Sequence, residues 1–140
     1  MHAATWAKMH GASVHFPIAL VLCSFALDAA GLLFSGLAAR RGLHAAGYWT
    51  LLVGAAGTVP AVISGLVMTK GVVLGHDALR LHHLFAWPAF ALIVGTAAWR
   101  SLASGFATRR ELAAYLAVVG LAAALVSAAG YWGGEMLLAR

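Results

Sequence analysis

Apolar residues in this chain run on rather than alternate. Four nearly uninterrupted stretches, at about residues 14–37, 45–69, 83–102 and 112–132, are each long enough to cross hydrocarbon as a helix, which takes about 20 residues. Glycines and charged residues collect between them. The pattern predicts an all-α membrane protein, a four-transmembrane-helix bundle forming a single domain over residues 1–140. An even number of spans leaves both termini on one side. Arg40, Arg41, Arg100, Arg109 and Arg110 fall at the first and third connections, whereas Lys8, Lys70, Arg80 and Arg140 fall at the other side. The two double-arginine clusters mark the inner side, so both termini and the loop near residues 70–83 are expected outside.

Within the spans, Pro17 is expected in the first turn of span one and Pro60 predicts a kink in span two. Residues Gly36 to Gly47 are expected to form the first connection. Gly57, Ala61 and Gly65, and likewise Gly120, Ala124 and Ala128, form small-residue faces that let helices approach closely. The run Gly130-Tyr131-Trp132-Gly133-Gly134-Glu135 is expected to break the fourth helix beside interfacial aromatics.

Composition narrows the class. The 140 residues are 63% hydrophobic and 9% charged, with a mean hydropathy of +0.91; a soluble domain carries roughly a quarter charged residues. The net charge of +5 lies mostly at helix ends and points to membrane topology, not to nucleic acid. The first apolar run begins too far in, without a basic leader, and reads as a span rather than a signal peptide. Cys23 is the only cysteine. No intrachain disulfide, cysteine-rich metal site or C-x-x-C-H haem attachment can form, and Cys23 reads as a packing residue.

Chemistry enters with the histidines. His10-Gly11-Ala12-Ser13-Val14-His15-Phe16-Pro17 opens the first apolar run, and Arg80-Leu81-His82-His83-Leu84-Phe85 opens the third. First and third spans start on the same side, so these imidazoles can meet at one depth. His15 shares a helical face with Ala19, Ala26 and Ala30, a small face expected to be buried. His82 shares a face with Ala86, Ala89 and Thr96, and His83 with Trp87 and Phe90. His2 and His44 read as solvated.

A neutral imidazole ligates haem iron, copper or zinc. Haem b needs only two axial imidazoles, small residues to admit the macrocycle and cations for its propionates. His15 with His82 or His83 would supply the ligands and His10 a supporting or alternative one. Ala19, Ala86 and Gly65 would make room, and Lys8, Lys70 and Arg80 would face the propionates. Copper is the alternative suggested by Met9, Met68 and Met136 near the same surface. A cofactor-free accessory or anchor subunit is the other.

Asp28 is the remaining unusual residue. A carboxylate deep in a span costs roughly 2.5–3.5 kcal/mol on insertion scales and should be partnered or protonated. It lies opposite His15 on span one, beside Ser24 and Gly31, where Thr58, Thr96 and Arg100 could reach it. An interhelical hydrogen bond is one reading, a proton relay or quinone contact the other. Arg100, at the end of span three, is expected to snorkel to the interface.

At these residues the chain resembles a bacterial membrane family of unknown function, DUF2231. The family pattern opens H-P-x-x-V-H-F-P-I-A-L, continues with an aspartate in the first span and a histidine opening the third, and ends near G-W-x-G-G-E. Here it falls on His10, His15-Phe16-Pro17-Ile18-Ala19-Leu20, Asp28, His82 or His83, and Gly130 to Glu135. Gly11 replaces the proline, and the acidic residue often found late in the second span has no counterpart around Gly65 to Met68. Members often accompany Rieske-type and cytochrome c modules. The resemblance favours haem b and electron transfer, although the family has no settled activity. With the histidines, the expectation is a multi-pass protein of the bacterial inner membrane that binds haem b and passes electrons within a respiratory or dehydrogenase complex. It would be an electron-transfer subunit more than an enzyme in its own right, with quinone as a candidate contact and the lipid bilayer as its solvent.

Overall fold

The structure, a computed structural model, describes residues 3–34, 36–103 and 108–138. Helix α1 spans Ala3–Ala30, α2 Leu37–Met68, α3 Asp77–Leu102 and α4 Arg109–Leu138. All four are long and apolar enough to cross a membrane, and no strand occurs among the described residues. His10 meets Ser64 while Asp28 meets His44, so α1 and α2 run antiparallel. The pairs His82–Ala129 and Arg100–Tyr115 establish the same for α3 and α4. Helices α1 and α3 run parallel, with His10 beside His82 at one end and Asp28 beside Arg100 at the other. We call these the terminal end, where α1 begins and α4 ends, and the loop end.

The helices outrun the apolar stretches. Helix α1 begins at Ala3 rather than near Val14, and the expected connection from Gly36 to Gly47 is mostly α2, which starts at Leu37. Hydropathy registers only the part of a helix that lies in hydrocarbon, and the polar turns beyond it are helical too. Helix α4 continues through Gly130, Gly133 and Gly134 to Leu138, contrary to the expected break. A glycine costs a helix about 1 kcal/mol relative to alanine, but breaking backbone hydrogen bonds in a low-dielectric bundle costs several kcal/mol per group. Helix α2 is one helix across Pro60.

Packing follows glycine rather than bulk. A Cβ on Gly47, Gly54, Gly57 or Gly65 would stand 2.7–3.1 Å from Asp28, Leu20, Phe16 or His10, so α1 lies directly on the glycine stripe of α2. Gly120 receives Phe25 in the same way. Ala124 is exposed, so the expected Gly120–Ala124–Ala128 face does not face inward as a unit. The expected buried face of α1 is also corrected. His15, Ala19 and Ala26 are exposed, while Pro17, Val21, Ser24 and Asp28 are buried. Lipid tails solvate alanine as well as a neighbouring helix does, so on α1 the polar Ser24 and Asp28, not the alanines, mark the inward face. The central core is Val21, Leu51, Ile93, Ala97, Tyr115, Val119, Ala122 and Ala123.

Candidate functional site

Above that core, towards the terminal end, the helices part around a cavity of about 360 Å³. All four contribute to its wall: His10, Pro17 and Ile18 from α1, Thr58, Ala61 and Gly65 from α2, His82, His83, Trp87 and Ile93 from α3, and Ala129, Gly130 and Gly133 from α4. Apart from the imidazoles and Thr58 the lining is almost wholly apolar. Cofactor and small-molecule sites run about 300–1,000 Å³ and have this character, a greasy wall with few placed polar groups.

Three imidazoles converge here. The rings of His10 and His82 lie 6.2 Å apart, and those of His82 and His83 5.5 Å. His10 Nδ1 is 3.0 Å from the Ala61 carbonyl and 3.1 Å from Ser64 Oγ. Ser13 Oγ, itself donating to the His10 carbonyl, lies 3.3 Å from Ser64 Oγ and completes the support. His82 Nδ1 is 2.8 Å from the Ala129 carbonyl. A carbonyl only accepts, so in both rings Nδ1 carries the proton and Nε2 keeps its lone pair. Ligating histidines are oriented in the same way. Gly65 and Gly133 make the approach possible: a Cβ there would come within 3.0 Å of the His10 ring and 3.4 Å of the His82 ring.

The other predicted residues fall around this pair. His83 is 7% exposed, lines the cavity, and its Nδ1 has no hydrogen-bond partner among the described residues. His82 and His83 thus both face the cavity. His15 is exposed but still lines the cavity, which places it at the mouth; its Nδ1 donates to the Gly11 carbonyl one turn back. Lys70 and Arg80 are exposed beside the terminal end and do not line the cavity. Ala19 is exposed to the outside of the bundle, whereas Ala86 and Gly65 do line the cavity. Met68 and Met136 line it too.

What can such a site hold? Among the described residues no three His, Cys, Asp or Glu side chains are grouped to hold a metal ion by themselves. Two imidazoles with free Nε2 atoms are sufficient for a group that brings its own equatorial ligands. Metal–imidazole bonds are about 2 Å long, so rings 6.2 Å apart are near enough for one ion to lie within reach of both. An apolar wall with two oriented imidazoles is a donor set that would suit a haem, which His10 and His82 would hold.

A second polar centre lies below the core, near the loop end; its Asp28 and Arg100 were within expected reach of each other, whereas His44 and Tyr115 were not foreseen as members. Asp28 is fully buried. Arg100 clamps both of its oxygens, Nη2 at 2.9 Å from Oδ1 and Nη1 on Oδ2. Tyr115 donates its hydroxyl to Oδ2 at 2.8 Å, and His44 Nδ1 donates to Oδ1 at 2.8 Å. Arg100 also binds Tyr115 Oη and the His44 carbonyl. Each helix supplies one member. The expectations that Arg100 snorkels and that His44 is merely solvated are therefore overturned: Arg100 is buried and His44 is a partner of Asp28. A buried carboxylate is stable only with such compensation, and the nearest cation at its depth is the one it takes. Gly47 is the sequence signal for the crowding, since a Cβ there would sit 2.7 Å from the carboxylate. His2 lies outside the described residues.

Residues 7–139 match the family DUF2231, described as predicted membrane protein. No curated protein and no solved structure matches the chain.

Proposed function

The chain belongs to the DUF2231 family of predicted membrane proteins, and we propose that it is a b-type cytochrome-like subunit holding haem b in the terminal-end cavity. The observation that carries this reading is the shared state of His10 and His82. Each gives its Nδ1 proton to a carbonyl of the helix beside it, and each keeps an Nε2 lone pair at one apolar cavity. His10 and His82 would hold the haem iron, in place of the pairing with His15. Haem would supply one-electron chemistry there. The chain's own residues hold the two imidazoles at fixed tautomer and orientation within an almost wholly apolar wall, and Lys70 and Arg80 are exposed cations towards the same end.

With the arginine-rich loop end inside, the cavity opens at the outer face of a bacterial inner membrane. Electrons would then pass locally to an outer carrier, a cytochrome c or Rieske-type module, within a respiratory or dehydrogenase complex. A second reading has one observation of its own. Met68 and Met136 line the same cavity as the imidazoles, and mixed thioether and imidazole donors suit Cu(I).

Haem and metal content of the detergent-purified chain tests both. The proposal expects iron and haem near one per chain, lost in His10→Ala and His82→Ala and kept in His15→Ala. Copper without iron would favour the second reading. Folded protein that takes up neither would leave a cofactor-free accessory or anchor subunit.

A further inference from the structure

Ionisable side chains at membrane depth ordinarily face the interior of a bundle. His15 does not. It lies 12 residues into α1 (15 − 3), about 18 Å along the helix and so at hydrocarbon depth. There it is exposed on the flank of the bundle and at the same time lines the cavity. Its Nδ1 donates to the Gly11 carbonyl, so Nε2 keeps its lone pair, with no partner among the described residues. Three imidazoles therefore share one state, His10 and His82 within the cavity and His15 at its mouth. The mouth lies on the seam between α1 and α4. Ile18 packs there on Gly130, whose Cβ would stand 3.3 Å away, and one turn further on nothing stands within 4 Å of the Cβ position of Gly134. Gly130, Gly133 and Gly134 all line the cavity, so α4 offers little side chain for an entering group to displace. The cavity also calls for an occupant: His83, 7% exposed, lines it with an unpartnered Nδ1, and an unpaired buried polar group is costly.

We propose that His15 is the entry ligand of the cavity: through Nε2 it captures haem iron from the bilayer at the α1–α4 seam and yields it to His10 and His82. The proposal rests on the haem reading above and adds the route by which the site is filled. Haem is a largely apolar macrocycle that partitions into a bilayer, and His15 is the imidazole that a group arriving from the lipid meets first. In the transfer the iron–nitrogen bond to His15 breaks as bonds to the inner imidazoles form. All three rings keep their Nδ1 protons on backbone carbonyls, so no proton and no electron moves. Two imidazoles against one make the transfer downhill. His15 is thus a residue of the filling of the site and not of the filled site, which is why it carries the tautomer of a ligand in a position outside the bundle.

The test is the rate at which haemin is taken up by the whole chain, expressed without a haem supply and reconstituted in phosphatidylcholine vesicles, followed by the growth of the bound absorption band. His15→Leu keeps the bulk and removes the lone pair. It should fold with undiminished helicity and reach the wild-type final spectrum, but about tenfold more slowly, within the range over which variants of one site alter an on-rate. His15→Met, which offers a thioether in place of the imidazole, should recover most of the rate, a recovery that a merely structural role for His15 would not give. His76→Ala, exposed in the loop before α3 and not lining the cavity, should take up haemin at the wild-type rate. An unchanged rate in His15→Leu overturns the entry role and leaves the haem reading standing, as does equal slowing in His15→Leu and His15→Met. Loss of bound haem at equilibrium in His15→Leu overturns it too, by making His15 a resident ligand. Folded wild type that takes up no haemin overturns both readings.

Discussion

Asp28 shows how one residue can commit four helices to a single arrangement. Its carboxylate accepts from Arg100, Tyr115 and His44, and it is fully buried, so neither it nor Arg100 has water to fall back on. Asp28→Asn leaves the guanidinium with a neutral partner and should destabilise the bundle by about 3–5 kcal/mol, the usual consequence of breaking a buried pair from one side. Thermal unfolding in detergent checks this, and an unchanged midpoint would mean that the cluster carries little of the fold. At this scale the sequence was half legible. Asp28 stands out because hydrocarbon penalises a carboxylate, whichever way it faces. Arg100 and His44 do not, because a cation at the end of a span has a second resting place at the interface, and only packing decides between the two.

The elements meet through what is missing from α2. Asp28, Leu20, Phe16 and His10 each press onto a glycine, at Gly47, Gly54, Gly57 and Gly65. A methyl at Gly47 would overlap the Asp28 carboxylate, so Gly47→Ala should cost about 1–3 kcal/mol as an overpacked site. Gly11 is helical with open space around its Cβ position, so Gly11→Ala should instead stabilise by about 1 kcal/mol through helix propensity. Opposite signs for the same substitution would separate packing from propensity; equal signs would contradict the α1–α2 interface described. The existence of four helices was readable from apolar length alone, but their ends were not. Hydropathy stops at the hydrocarbon boundary, while α1 and α4 carry on through polar and glycine-rich turns, to where His10 and Gly133 lie. Taking the small face through Ala19, Ala26 and Ala30 as the buried one is what favoured His15 over His10. The inward face instead runs through His10, Pro17, Val21, Ser24 and Asp28.

Taken whole, the molecule holds two polar centres stacked along one bundle, an imidazole cavity towards the terminal end and a charge-compensated cluster towards the loop end, with an apolar core between them. The convergence of first and third spans, expected from topology, holds: His10 and His82 lie 6.2 Å apart although 72 residues separate them in sequence (82 − 10). What the cavity contains is the central claim. The direct test is a dithionite-reduced minus oxidised absorption spectrum of the detergent-purified chain, expressed with ample haem. Sharp b-type bands are the predicted result. A featureless spectrum from folded protein would contradict the haem assignment and leave the tethered imidazoles to another ligand.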